Sequence, residues 1–356
     1  SDIDGDSVSY SFSWTVDSTP YSNATNTSFG STVAGINTFA GEEWVCSVTP
    51  NDGTDNGGSI DSNVTIDSDW GGSLEFTNCG QTGRNGPSQS QCTSEYSGTT
   101  LDGVVTVTSG FQYWTVPATG IYTIEAYGAQ GGAGTTNGGI PGGLGVSMSG
   151  EFNLTSGEVL KIVVGQMGEG ISYGTSNAGG GGGGGSFIAY LNDTPLLIAG
   201  GGGGTGANSA IIHALTHGQE TNTPGWSSSN ASVALGGSGG FGGYDGAAGG
   251  GFYTDGEDSQ TVGRGGQSFV NGALGGDYKT VGNYPIGSHS GLGGFGGGGG
   301  VGHAAGGGGG YNGGNGTGQY GNGSWAGGGS SYNDGSNQLN TAQYNSAHGY
   351  VIIDKL

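Results

Sequence analysis

The amino-acid sequence predicts an all-β chain. It has an incomplete β-sandwich over residues 1–68, a linker at 69–73, and a jelly-roll-like β-sandwich over 74–356 with an inserted bundle of polyglycine II helices. Three observations carry this expectation. Val8, Tyr10, Phe12, Trp14 and Val16 alternate with Ser and Thr, the two-residue period of a half-buried strand. Short apolar runs bounded by turn residues continue to Tyr350 and Ile353. The chain holds 90 glycines in 356 residues, several times the ordinary share of about 7%.

In the first part, Trp44, Cys46 and Val48 form a second alternating face and Ile60, Val64 and Ile66 a third. Asn51-Asp52-Gly53 and Asn56-Gly57-Gly58 are turn signals between them, and short strands at this spacing point to a sandwich. Asp67-Ser68-Asp69-Trp70-Gly71-Gly72 reads as the linker. Strand-like pieces follow at 74–76, 104–107, 113–116, 121–127, 146–152, 159–164, 187–190, 196–199 and 350–353, enough for a jelly roll.

The glycine tracts lie at 179–185, 200–204, 236–251 with interruptions, 296–300 and 306–310. Flexible linkers are spaced by Ser and carry few aromatics. These tracts are bounded by Phe187, Phe241, Tyr244, Phe252, Phe295, Tyr311 and Trp325, which would anchor their ends in a core. A polyglycine II helix has three residues per turn and no internal hydrogen bonds, so its N–H and C=O groups seek neighbours. Several tracts bonding together offset the large ordering entropy of glycine.

The formal charge is −22, with only five Lys plus Arg. Such a chain repels phosphate backbones and anionic membranes, which excludes nucleic acid and leaves basic proteins, cations and neutral sugars as partners. No run approaches the ~20 apolar residues of a membrane span, and with Ser1-Asp2-Ile3-Asp4 at its start the chain reads as soluble and processed. Cys79 and Cys92 flank a Gly/Pro/Gln loop, either as a disulfide closing a turn-rich hairpin or as two free buried thiols, with Cys46 left over. The disulfide reading implies an oxidising, extracellular compartment.

Residues 1–68 resemble the Ig-like, PKD- or cadherin-like repeats of bacterial surface proteins. The resemblance rests on Asp2-Ile3-Asp4-Gly5-Asp6, Tyr10, Trp14 and the stretch from Glu43 to Gly53. In such repeats one or two strands precede the Asp-Gly-Asp motif and supply the partner of the Trp-x-Cys cysteine. By that resemblance Tyr10, Phe12, Trp14, Trp44, Cys46 and Val48 form a groove ready for a strand. Upstream loss and donation by a neighbouring subunit both account for the gap.

From Leu74 to Leu356 the chain resembles the glycine-rich domain of the anaplastic lymphoma kinase and leukocyte tyrosine kinase receptors. The matches include Phe76-Thr77-Asn78-Cys79-Gly80, Gly86-Pro87, Gln91-Cys92, Tyr96, Trp114-Thr115-Val116-Pro117 and Ala126-Tyr127-Gly128-Ala129. Further matches are Phe152-Asn153-Leu154, Gly157-Glu158, Val163-Val164-Gly165-Gln166, Gly168-Glu169, Gly293-Gly294-Phe295-Gly296 and His348-Gly349. The resemblance implies a tumour-necrosis-factor-like sandwich threaded with polyglycine helices, which in those receptors binds basic cytokine-like ligands. This stretch lacks the receptors' extra cysteines, growth-factor-like module and kinase. A looser resemblance, in glycine architecture alone, is to the tail-fibre adhesins of T-even bacteriophages.

Chemistry finds little footing. Of His213, His217, His289, His303 and His348, the first two have helical metal-ligand spacing but sit in a glycine-flanked insertion without caps. Gly236-Gly237-Ser238-Gly239-Gly240 matches a nucleophile elbow, as chance allows among so many glycines. Asp2, Asp4 and Asp6, with Asp52, form the one set suited to calcium, the only cofactor expected. Sequons stand at Asn23, Asn26, Asn63, Asn153, Asn192, Asn230, Asn315 and Asn322. The expected function is a non-catalytic structural or adhesive subunit of a surface appendage, self-associating or joined to a larger surface protein. The alternative is a recognition module for a basic protein or a glycan.

Overall fold

The structure, a computed structural model, describes residues 7–34, 38, 42–66, 73–134, 140–170, 179–206, 212–278, 291–302, 304–318 and 324–356. The chain divides into two compact units, one of residues 1–72 with 116–119 and 155–157, the other of the remainder.

In the first unit the alternation of residues 8–16 makes strand β1 (Ser9–Val16). It is joined by β2 (Thr19–Tyr21), β5 (Glu43–Asn51) and β6 (Ile60–Thr65) in the order β2-β1-β5-β6, and β3 (Thr25–Thr27) pairs with β4 (Gly30–Thr32) as a separate hairpin. The register sets Tyr10 opposite Pro50, Phe12 opposite Val48 and Trp14 opposite Cys46, so the predicted apolar residues share one face. Trp44 is buried there against the edges of Tyr21 and Trp14, at ring distances of 4.8 and 6.2 Å. Trp14 Nε1 donates to Ser31 Oγ at 2.7 Å, which ties the β3–β4 hairpin to this face.

Two expectations need correction here. An acceptor edge beside Trp44–Val48 does not exist, because β5 is an inner strand with β1 on one side and β6 on the other. Among the described residues the open edges of this sheet are β6, which pairs only with β5, and the part of β1 that β2 leaves free beyond Trp14 to Val16. The third face is not half-buried either: Ile60 is 74% and Val64 54% exposed.

The second unit holds two antiparallel sheets. The five-stranded one comprises β16 (Ser336–Asn345), β11 (Gly145–Leu154), β10 (Gly120–Tyr127), β17 (Tyr350–Lys355) and β7 (Leu74–Phe76), in that order. The six-stranded one runs β15 (Tyr332–Asn333), β14 (Pro195–Ala199), β13 (Ser186–Tyr190), β12 (Val159–Val163), β9 (Phe111–Thr115) and β8 (Val105–Thr108). They pack face to face through edge contacts of Trp114 with Phe76 and Tyr122 at 6.4 and 6.3 Å. Tyr122, Ile124, Ala126, Val351 and Ile353 point into this core from alternate positions.

The six-stranded sheet is buried on its other side as well. Phe111, Val163, Phe187 and Ile198 pack there against Phe252, Phe269 and Phe295; of these, Phe187, Phe252 and Phe295 are among the aromatics expected to anchor the glycine tracts. Lys161 covers this cluster, its Nζ 4.6 Å from the Phe111 ring centre and 4.7 Å from that of Phe269, and pairs with Asp193 at 2.8 Å.

Backbone hydrogen bonds order the glycine tracts. The N–H groups of Gly181 and Gly184 bond to Glu169 and Gln166, those of Gly182 and Gly185 to Gly299 and Gly296, and those of Gly180 and Gly183 to Thr205 and Gly202. Every third residue returns to the same neighbour. These three pairings are antiparallel, whereas Gly306 and Gly309 bond to Gly180 and Gly183 in the parallel sense. The packing requires glycine: a Cβ on Gly182 would collide with the carbonyl of Gly307, a backbone atom with no rotamer to move to.

A disulfide joins Cys79 and Cys92, but it staples a helix and not a hairpin. Helix α1 (Gln89–Glu95) begins at Ser88, whose side chain accepts from Gln91 N while the Gln91 side chain accepts from Ser88 N, a full capping box. Tyr96 follows it, donating to Gln112 Oε1 at 2.6 Å and accepting from Thr77 N at 3.0 Å.

Candidate functional site

In the five-stranded sheet, alternate residues of each strand face away from the core. The register places Glu75, Ile352, Glu125, Ser149 and Leu339 in one row across it. The next row holds Tyr350, Tyr127, Ser147 and Thr341, and the row on the other side Asp354, Thr123 and Glu151. Adjacent strands lie about 4.8 Å apart, so four carboxylates share one patch of sheet. The only Lys or Arg in these strands is Lys355, whose register partner Tyr122 points into the core.

Tyr127 and Tyr350 stack at 3.9 Å, and the exposed Tyr344 lies against Tyr127 at 5.5 Å. Tyr127 Oη donates to Glu125 Oε2 at 2.6 Å. Burial, and then that bond to Glu125, push the Tyr127 phenol well above its ordinary range. Tyr350 is raised by burial first and by the nearby Tyr344, Glu125 and Glu75. Both phenols therefore remain neutral donors at physiological pH, beside the carboxylates of this patch. Glu151 Oε2 accepts from Asn337 Nδ2 at 2.7 Å, which fixes one end of the patch. Tyr127 is itself buried, so the exposed Tyr344 and the half-buried Tyr350 supply the aromatic contact area of a face that focuses a negative potential, the combination that attracts and orients a cationic partner.

The residues singled out from sequence lie elsewhere. Tyr10, Phe12, Trp14, Trp44, Cys46 and Val48 share the apolar face of the first unit, with Cys46 free and half-buried. Asp2, Asp4 and Asp6 fall outside the described residues. Asp52 Oδ1 accepts from Thr54 N and Asp55 N, each at 2.8 Å, an Asx turn whose amides, Asp55 first, hold its carboxyl below the usual range. Among the described residues no three His, Cys, Asp or Glu side chains are grouped to hold a metal.

His213 and His217 serve separate local roles around a short 3-10 turn. His213 Nδ1 accepts from Leu215 N, and the buried His217 accepts from Leu144 N at 2.9 Å, its pKa lowered by burial. The turn does have a cap, contrary to expectation, and it is His213 itself. His348 Nδ1 likewise accepts from Met167 N.

Asn23, Asn26, Asn63, Asn153 and Asn192 are exposed and Asn230 is half-buried; Asn322 lies outside the described residues. Asn315 corrects the sequon list. Its side chain is fully buried, accepting from Phe241 N and donating to the carbonyls of Asn230 and Ser232.

No family model matches the chain. Over 99 residues it is 43% identical to the leukocyte tyrosine kinase receptor of Mus musculus, a match covering 26% of this chain and 11% of that receptor. The matched region belongs to the receptor's extracellular part and not to its kinase domain. The chain is extracellular, in keeping with its disulfide.

Proposed function

We propose that this chain is a non-catalytic ligand-recognition module that takes a basic protein ligand on the outer face of its five-stranded sheet. The observation that carries the proposal is the single-sign patch of Glu75, Glu125, Glu151 and Asp354 around the stacked Tyr127 and Tyr350. Two of the five cations are committed within the second unit, Arg84 to Asp277 and Lys161 to Asp193, so they do not offset the patch. Similarity to a receptor's extracellular part supports recognition over the expected appendage subunit.

Within this proposal the glycine tracts are polyglycine II helices, an assignment supported by the three-residue rotation of their hydrogen bonds. They serve as a stiff brace behind a tumour-necrosis-factor-like sandwich. Residues 1–68 are a partial Ig-like module joined through 69–73.

The test is binding of a lysine-rich peptide probe to the full chain and to a variant with Glu75→Gln, Glu125→Gln, Glu151→Gln and Asp354→Asn. A control carries the same loss of charge at the exposed Asp55, Asp61, Glu95 and Glu257. The face variant should lose at least about tenfold in affinity and most of its salt dependence, while the control changes only slightly. Equal losses in both would show a non-specific attraction to net charge and refute the proposal.

A further inference from the structure

A second surface of the glycine-rich unit has a different chemistry. Trp226 and Trp325 lie with ring centres 5.5 Å apart and planes inclined by 52°. His213 stacks on Trp325 at 4.1 Å, its ring within 3° of parallel. Trp226 is 37% exposed, a large apolar surface for a side chain with no core role.

The arrangement is held rigidly. Trp325 exchanges hydrogen bonds with Ser228, its N–H to Oγ and its carbonyl from the Ser228 N–H. The residues that follow it are anchored to the tracts, Ala326 N to Gly204 O, Gly328 N to Leu215 O and Gly329 N to Gly201 O. His213 is fixed because Nδ1 accepts from Leu215 N, which leaves its proton on Nε2 in the neutral ring.

The polar edges of these three rings are unused. The indole N–H groups of Trp226 and Trp325 and the Nε2–H of His213 have no hydrogen-bond partner among the described residues. Trp325 is only 8% exposed and backs the platform, while Trp226 and the half-buried His213 present most of its open surface; ring N–H donors around it complement a ligand with apolar C–H faces edged by hydroxyl acceptors. The loops that carry the platform, residues 205–232 and 324–330, contain no Lys or Arg, so they offer no cationic partner to a sulfate or carboxylate. A cation cage is disfavoured by geometry: ring centres 5.5 Å apart are already in mutual contact and leave no slot for an ammonium between them.

We propose that Trp226, Trp325 and His213 form a binding platform for a neutral saccharide, separate from the acidic sheet face. Stacking on Trp226 supplies the contact area, and the three ring N–H donors select hydroxyl orientation. For a ligand of about a dozen heavy atoms on one open platform, a dissociation constant near or above about 1 mM is expected.

The experiment titrates the full chain, produced without glycosylation, with glucose, galactose, mannose, fucose, N-acetylglucosamine and N-acetylgalactosamine. Binding is followed by tryptophan fluorescence and saturation-transfer NMR. At least one sugar should bind saturably, Trp226→Ala should weaken it at least about tenfold, and Trp226→Phe should restore part of the loss. Far-UV circular dichroism and the melting temperature of Trp226→Ala should match the parent, since the ring is at the surface. Absence of binding for every sugar into the tens of millimolar would overturn the proposal, as would binding indifferent to Trp226→Ala. Tetramethylammonium binding that exceeds every sugar would overturn it in favour of a cation site.

Discussion

Tyr127 on β10 and Tyr350 on β17 stack with ring centres 3.9 Å apart and planes within 15°, directly across one pair of antiparallel strands. The pair is rigid because each ring leans on the other and Tyr127 is fixed by its bond to Glu125. The buried Tyr127 thus holds the half-buried Tyr350 in place, and a pre-ordered ring loses little entropy on binding.

Gly182 tests the glycine layer. Its replacement by Ala forces a methyl into the Gly307 carbonyl and disrupts bonds to two neighbours, so loss of well over 3 kcal/mol or failure to fold is expected. Gly98→Ala is the comparison. That residue has φ of 76° and open space around its Cβ position, so it should cost only about 1 kcal/mol. Denaturant melts of the two variants make the measurement.

Asn315 should carry no glycan when the chain is made in a glycosylating host, although it satisfies the sequon; peptide mapping by mass spectrometry decides this. Asn315→Ala should cost about 2–3 kcal/mol because it strands the Phe241 N–H and two carbonyls inside the fold.

Tyr96 predicts an alkaline loss of stability. Burial raises its pKa from 10.0 to about 12, against the opposing bonds to Thr77 and Gln112. A raised folded-state pKa means that the stabilisation is fully present below pH 10 and is lost as pH rises toward 12. Stability measured over this window should fall, and Tyr96→Phe should flatten part of that slope. At neutral pH the same variant should cost about 1–2 kcal/mol for the lost bonds.

Reduction of Cys79–Cys92, which closes a loop of separation 13, should lower stability by about 3 kcal/mol. Urea melts with and without reductant give the value. Cys92→Ser should reproduce it without reductant.

Much of the fold was legible because its strands alternate or are uniformly apolar: β1, β10 and β13 stand out by their Val, Ile and aromatic residues and β14 by its Leu-Leu-Ile run. Strand β16 did not, since Ser-Asn-Gln-Leu-Asn-Thr-Ala-Gln-Tyr-Asn carries no apolar period and is held by pairing with β11 through two register shifts. Helix α1 was missed although Ser88 and Gln91 spell its capping box, because the Gly and Pro just before it suggested a turn. The acidic face was illegible for another reason. Alternation alone puts Glu125 and Tyr127 on the outward side of β10, but only the closure of β17 between β10 and β7 brings Asp354 and Glu75 beside them. Trp226 and Trp325 similarly meet only after the chain has passed through the glycine layer.

The most direct test of the recognition face is carboxyl footprinting: carbodiimide-driven labelling of the full chain, free and saturated with the lysine-rich probe, read by mass spectrometry. Bound probe should protect Glu75, Glu125, Glu151 and Asp354 while Asp55, Asp61, Glu95 and Glu257 label as before. Protection spread evenly over all eight, or confined to the second four, would contradict it.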